Sequence, residues 1–291
     1  MATAKNPNQP QSTREKIRAQ HESQQRAQKR NSLLLRLGVI ALVLAVIAIV
    51  AIIIVGNSSR SIPEAGPAPA GASQAGGITF VSATETAQKA VEEVSIEGME
   101  EPSEEDFMAN MQDPKNPEGI QASKDGETPK IVVYADPACP HCSEFDSQYG
   151  KFLQEKTQSG DVDVEYRTVS FLDRNSPTNF SARAGNMLAC VADTAPEKFM
   201  AVNSALYAGI SQGERSDDEL IELAKASEVD VESCVKDNKF RPFVAFTTAK
   251  AREDMVPGTP TVWVNGTMWD QQQDADFEAF VDAQISVDAK K

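Results

Sequence analysis

The segment Ile131-Val132-Val133-Tyr134-Ala135-Asp136-Pro137-Ala138-Cys139-Pro140-His141-Cys142 joins two kinds of pattern. Its first four residues are β-branched and aromatic, as in a buried strand. The residues that follow, Ser143 to Thr157, carry Phe145, Tyr149, Phe152 and Leu153 at roughly helical spacing. Both cysteines therefore fall where a strand hands over to a helix N-terminus. Unpaired backbone N–H groups and the positive end of the helix dipole favour a thiolate there.

Working outward, Lys124-Asp125-Gly126 is a turn signal leading into a strand over 130–135. Val162 to Phe171 alternates apolar and polar residues and reads as a second strand. Strand, helix and strand make a βαβ unit, which favours parallel strands and a right-handed crossover. From about Asn179 to Phe246 the pattern is helical. Phe180–Ala192 is Ala-rich, Pro196 opens a helix through Tyr207, and Ser216 with Glu219 matches a capping box before Leu220-Ile221. Further helical pieces follow at Val231–Cys234 and Pro242–Glu253. Thr261–Val264 and Thr267–Trp269 flank Asn265-Gly266, a two-residue hairpin signal. Phe277, Phe280, Val281 and Ile285 mark a closing amphipathic helix. The order is β-α-β, a helical block, a β-hairpin and a last helix, without an internal repeat.

Upstream, Leu37–Val55 is nineteen residues without a charge, long enough to cross a bilayer. Some thirty-six residues precede it, more than a cleaved signal peptide carries, so 33–55 reads as a retained signal-anchor helix. Eight Lys and Arg against Glu15 and Glu22 give the first thirty-six residues a net charge of +6, leaving −21 for the rest of a chain whose total is −15. The positive-inside rule then puts the basic tail, 1–32, in the cytoplasm and the C-terminal bulk outside. An acidic outer part with no basic stripe argues against nucleic-acid binding. Residues 56–77, rich in Pro, Ala and Gly, read as a spacer. Residues 78–119 form an acidic lead with candidate helices near 87–94 and 104–111, and its role as mobile lead, docking segment or edge decoration stays open. All four cysteines, Cys139, Cys142, Cys190 and Cys234, lie on the outer side, where an even count suggests disulfides.

A Cys-x-x-Cys at a strand-to-helix junction admits a structural disulfide, half of a zinc site or a redox-active dithiol. The first gains little from so short a loop. The second needs two more ligands, but His21 is expected across the membrane and Cys190 and Cys234 are not close-spaced as a second knuckle would be. Strand context favours the third. His141, one residue from each thiol, is placed to donate a hydrogen bond to a Cys139 thiolate, and a stabilised reduced form makes a stronger oxidant. Pro140 stiffens the first helical turn. Farther on, Val256-Pro257-Gly258-Thr259-Pro260-Thr261 precedes the strand Val262-Trp263-Val264. A proline at a strand mouth is often only a loop end. A cis bond at Thr259-Pro260 would turn the Thr259 backbone and leave an edge that can hold an extended substrate.

With Cys139-Pro140-His141-Cys142, Gly258-Thr259-Pro260-Thr261 and Val264-Asn265-Gly266, the chain resembles the DsbA-type thiol–disulfide oxidoreductases over about residues 120–288. The resemblance implies an α/β thioredoxin fold with a helical domain inserted at about 177–253. It implies Cys139 as nucleophile, Cys142 as its more buried partner, and Thr259-Pro260 as the cis-proline pair contacting Cys139 and bound peptide. It further implies catalysis without organic cofactor or metal, unfolded or folding secreted proteins as clients, and a quinone-linked membrane reoxidase of the DsbB or vitamin-K-epoxide-reductase kind. Many relatives carry an acidic residue in the strand six positions before the first cysteine; here that position is Val133, and Asp136 is not its equivalent. Cys190 and Cys234 lie in the inserted block, as a structural disulfide or a relay pair. The activity expected is dithiol–disulfide exchange that forms disulfides in secreted or surface proteins. The alternatives are a reductase or isomerase using the same site, and a membrane-tethered binding module without catalysis.

Overall fold

A computed structural model describes residues 62–112 and 115–286. The expected membrane helix, 33–55, and the basic tail lie outside the described residues. Among the described residues no helix is long and apolar enough to cross a membrane.

The run Ile131–Tyr134 lies at the centre of a five-stranded sheet. Strands in chain order are β1 (Ala65–Pro67), β2 (Ile78–Phe80), β3 (Glu93–Ser95), β4 (Lys130–Ala135), β5 (Asp163–Thr168), β6 (Thr261–Val264) and β7 (Thr267–Met268). The main sheet has the order β2-β5-β4-β6-β7, while β1 pairs with β3 in a separate two-stranded ribbon. The β4–β5 pair is parallel, with Val133 opposite Tyr166, as a βαβ unit requires. The β4–β6 pair is antiparallel, with Val133 opposite Val262.

Alternation along β4 divides the core in two. Ile131, Val133 and Ala135 join the large cluster that holds Cys139, Cys142, Phe145 and the inserted helices. Val132 and Tyr134 face the other way, toward Ile120, Val169, Ala251 and Trp263. A strand buried on both faces loses the polar alternation of a half-exposed one, and β4 is apolar throughout after Lys130 for that reason.

The helices are α1 (Glu104–Gln112), α2 (Pro140–Ser159), α3 (Phe180–Thr194), α4 (Phe199–Ala208), α5 (Asp217–Ala226), α6 (Glu232–Lys236), α7 (Arg241–Glu253) and α8 (Phe277–Ser286). Those from α3 to α7 form the helical insertion between the βαβ half and the β6–β7 hairpin. The capping box that opens α5 is present, with the Ser216 hydroxyl accepting from the Glu219 N–H at 3.3 Å and Glu219 accepting from the Ser216 N–H at 2.7 Å. Helix α2 ends at Gly160, whose φ of 74° suits a residue without a side chain. In the hairpin both Asn265 and Gly266 have positive φ, 48° and 83°, the geometry Asn-Gly supplies. Phe277 of α8 stacks on Tyr149 of α2 and on Trp269, with ring centroids 4.9 and 4.8 Å apart.

Residues before Ile120 are more closely integrated than their composition suggests. The described part of the expected spacer, from Ile62, is packed against the domain: the Ala70 N–H donates to Asp193 and the Thr247 hydroxyl donates to the Gly76 carbonyl. Strand β2, from the acidic lead, adds to the β5 edge with Ile78 opposite Tyr166. The candidate helix near 87–94 is instead irregular chain ending in β3, whereas α1 lies where a helix near 104–111 is expected. Three-residue strands are too short to show a period, and the small residues of 62–77 fit close to neighbouring chain for the same reason that they resemble a linker.

Candidate active site

Helix α2 begins at Pro140, so the two residues between the cysteines lie inside its first turn. Cys139 is the N-cap, with extended φ and ψ of −85° and 118°, and Pro140 takes the first helical position. The Cys142 and Ser143 N–H groups both bond back to the Cys139 carbonyl, at 3.1 and 3.2 Å. Cys139 and Cys142 are free thiols, 5% and 2% exposed.

Burial is similar, but the two sulfurs meet different surroundings. Cys139 is lowered to about 5, first by the Cys142 thiol donating to its sulfur, and further by the Thr259 side chain and the backbone N–H groups of Cys142 and His141. Burial opposes this without cancelling it. Cys142 is pushed far upward, mainly by burial and then by the neighbouring Cys139 charge. One thiol is thus ionised at neutral pH and the other is held protonated.

The Thr259–Pro260 bond is cis. The protonated Cys139 thiol lies 3.2 Å from the Thr259 carbonyl oxygen and can donate to it. A distance of 120 residues in sequence therefore closes to one hydrogen bond. His141 lies differently from the sequence-based expectation: its ring is exposed and its Nδ1 is 3.2 Å from a Glu144 carboxylate oxygen. Three residues apart on a helix, the two share a face. What His141 turns to Cys139 is its backbone N–H. Pro140, Cys139, Cys142, Thr259 and Pro260 are gathered at one point, while Cys190 and Cys234 are bonded to each other elsewhere, in the insertion, with a Cα–Cα distance of 6.0 Å.

Asp136, to which the sequence assigns no part, organises the approach to Cys139. It is fully buried; its Oδ1 accepts from the Ala138 N–H and the Ser181 hydroxyl, and its Oδ2 from the Leu172 N–H. Burial raises its pKa despite these bonds. The carboxylate thereby joins the cysteine loop to the start of α3 and to the 3-10 turn at Phe171–Asn175. Both partners lie more than thirty residues away, so no local pattern announces them.

Two clefts meet at this point. One, of about 460 Å³, runs between α2 and the hairpin side, along Phe145, Tyr149, Pro260 and Trp269. The other, of about 510 Å³, is lined by Cys139, Pro140, Phe171, Leu172, Val256 and Gly258, among others. Both include His141, Pro257 and Thr259. Among the described residues no cluster of three or more His, Cys, Asp or Glu is placed to hold a metal ion.

A Thioredoxin family model matches residues 125–283, which include every element from β4 to α8 except the last turn of that helix. The chain belongs to the thioredoxin family. Similar solved structures include MdbA, a thiol–disulfide oxidoreductase from Actinomyces oris (17% identity over 56% of this chain and 82% of that one, TM-score 0.48). MdbA from Corynebacterium diphtheriae is 17% identical over 79% of this chain and 98% of that one, with a TM-score of 0.49. Reduced DsbA from Mycobacterium tuberculosis is 24% identical over 59% and 96% of the two chains, with a TM-score of 0.45. A comparison with curated protein sequences returns no significant match. The matched range takes in the helical insertion, whereas strand β2 lies before it.

Proposed function

We propose that this member of the thioredoxin family is an extracytoplasmic thiol–disulfide oxidoreductase that introduces disulfide bonds into secreted or surface proteins. In the oxidised enzyme, a client thiolate attacks the Cys139 sulfur. The Cys139–Cys142 bond breaks and its electron pair leaves on Cys142, which takes up a proton because burial keeps it a thiol. A second client thiolate then attacks the client sulfur of the mixed disulfide, and Cys139 departs as a thiolate. The client leaves as a disulfide, two electrons poorer, and the electrons remain in the Cys139–Cys142 dithiol.

The observation that carries this reading is the inequality of the two thiols. A low-pKa Cys139 is a good leaving group in the second step. Stabilising its thiolate stabilises the reduced enzyme, which raises the reduction potential and favours the oxidase direction over a reductase or isomerase using the same residues. The Cys190–Cys234 disulfide suits an oxidising compartment. Residues 33–55 would anchor the chain in the cell membrane as a single-pass signal-anchor, with its basic N-terminus in the cytoplasm. A quinone-linked membrane partner would take up the electrons, as the resemblance to DsbA-type enzymes implies. No organic cofactor or metal enters these steps.

The test is oxidation of a reduced, unfolded protein by the full chain in detergent, with the dithiol potential measured by equilibration with glutathione. A potential near DsbA's, about −120 mV, is expected; one near thioredoxin's, about −270 mV, overturns the oxidase direction. The Cys139→Ser variant is expected to lose the activity, and full retention would point to a binding module instead.

A further inference from the structure

The cleft beside Cys139 on the Leu172 side contains a feature that disulfide exchange itself does not use. Arg174 and Arg252 line the same cleft of about 510 Å³ as Cys139. Arg174 is exposed, and among the described residues it has neither hydrogen-bond nor ion-pair partner. Arg252 has one in this region, Glu101, at 2.9 Å, but that pair is open to water, its side chains 45% and 77% exposed. An exposed pair of this kind contributes little and exchanges readily. Two arginines, one free and one loosely held, thus line this cleft with Phe171, Leu172 and Val256, and the same two border an adjoining cleft that carries Glu101 and Glu104.

Their position is unusual for this chain. The net charge is −15, and the cleft on the opposite side of the dithiol carries Glu144 and Asp270. The cleft on the Leu172 side of Cys139 is thus lined by arginines without a carboxylate, and the one toward α2 and the hairpin by carboxylates without Lys or Arg. An extended client whose cysteine is joined to Cys139 advances about 3.3 Å per residue. A side chain within a few residues of that cysteine therefore reaches into the cleft. Apolar walls on one side strengthen a charge interaction there compared with open water.

We propose that Arg174 and Arg252 form an anion-accepting subsite that selects clients with an aspartate or glutamate beside the reacting cysteine, the client carboxylate displacing Glu101 from Arg252. The planar guanidinium fork suits a carboxylate, which can accept two parallel N–H bonds. Glu101, on the segment that leads into α1, occupies the subsite in the free enzyme and makes selection competitive. This subsite rests on the oxidoreductase reading above.

The experiment uses the full-length chain in detergent, oxidised at Cys139–Cys142, and a set of dithiol peptides identical except for Glu, Gln or Lys next to one cysteine. Oxidation rates are measured at low and high salt. The Glu peptide is expected to react about three- to tenfold faster than the Lys peptide at low salt, with the ratio falling toward one at high salt. In the R174Q/R252Q variant the ratio should collapse to about one, and Glu101→Gln should raise the Glu-peptide rate in the otherwise unchanged chain. Equal rates for the Glu and Lys peptides, or a ratio that survives in R174Q/R252Q, overturns the subsite and leaves the oxidoreductase reading standing. If no peptide is oxidised, that reading fails and the subsite falls with it.

Discussion

Cys139 and Cys142 are chemically identical, yet the fold ionises one and protects the other. The difference comes from what can donate to each sulfur. Cys139 collects the Cys142 thiol, the Thr259 side chain and two backbone N–H groups; Cys142 meets mostly apolar core and a neighbouring thiolate. Alkylation of the reduced chain should therefore be half-maximal near pH 5 and go to Cys139 alone, as peptide mapping of the labelled protein would show. The same shift sets a pH dependence of stability. Because the folded pKa of Cys139 lies below its ordinary value of 9.0, its contribution to the reduced state is complete above about 9 and is lost as pH falls through about 5. Denaturant midpoints of the reduced chain and its Cys139→Ser variant should converge near pH 4 and separate progressively up to pH 9. Midpoints that stay parallel across this range would remove the thiolate from the account. The position of His141 was legible as a neighbour of both thiols, but its contact was not: helical geometry turns the ring toward Glu144 and leaves the backbone N–H for Cys139.

Among the elements, β5 shows most clearly what the residues before Ile120 do for the sheet. Glu165 is fully buried on its second face, and its carboxylate accepts from Arg167 at 2.7 Å, Lys130 at 3.0 Å, Ser73 at 3.0 Å and Thr79 at 3.2 Å. Burial would raise this carboxyl, but the Arg167 and Lys130 charges outweigh burial and hold it below the usual range. Arg167 in turn donates to the Tyr134 hydroxyl and to the Glu118 carbonyl. The group that would otherwise be a costly buried charge is thus shared between β4, β5 and the residues before Ile120. Gly77 passes so close that an added Cβ would overlap the Glu165 carboxyl group, which four donors hold in place. Gly77→Ala should accordingly cost about 1–3 kcal/mol in a denaturant titration. A neutral outcome would mean that this contact can relax. Alternation in Val162 to Phe171 announces a strand, but the period alone does not say what its polar positions face. Contacts with Ser73, Thr79 and Glu118, distant in sequence, accompany the burial of Glu165 and Arg167.

At the scale of the whole molecule, the folded unit that contains the dithiol begins at Ile62 rather than at Ile120. Phe80 is fully buried, stacked 4.6 Å from Phe199 of the insertion and 6.2 Å from Tyr166 of β5. A chain starting at Ile120 would lose that ring, the β2 edge and two of the four donors to Glu165, and should show no cooperative thermal transition by near-ultraviolet circular dichroism. A chain starting at Ile62 should melt cooperatively, and equal melting of the two would assign the lead segment to decoration. What the sequence by itself determined was local: the strand-to-helix junction at Cys139, the Asn265-Gly266 hairpin, the Ser216 cap and the helical block between the two halves of the sheet. Each of these is encoded within a few residues, by period, turn chemistry or capping. The tertiary structure alone decided that Thr259 meets Cys139, that Asp136 ties the cysteine loop to Leu172 and Ser181, and that small residues resembling a spacer lie packed against the domain. Those contacts join segments from about thirty-five to more than one hundred residues apart, and burial together with hydrogen-bond satisfaction, rather than any local periodicity, selects them.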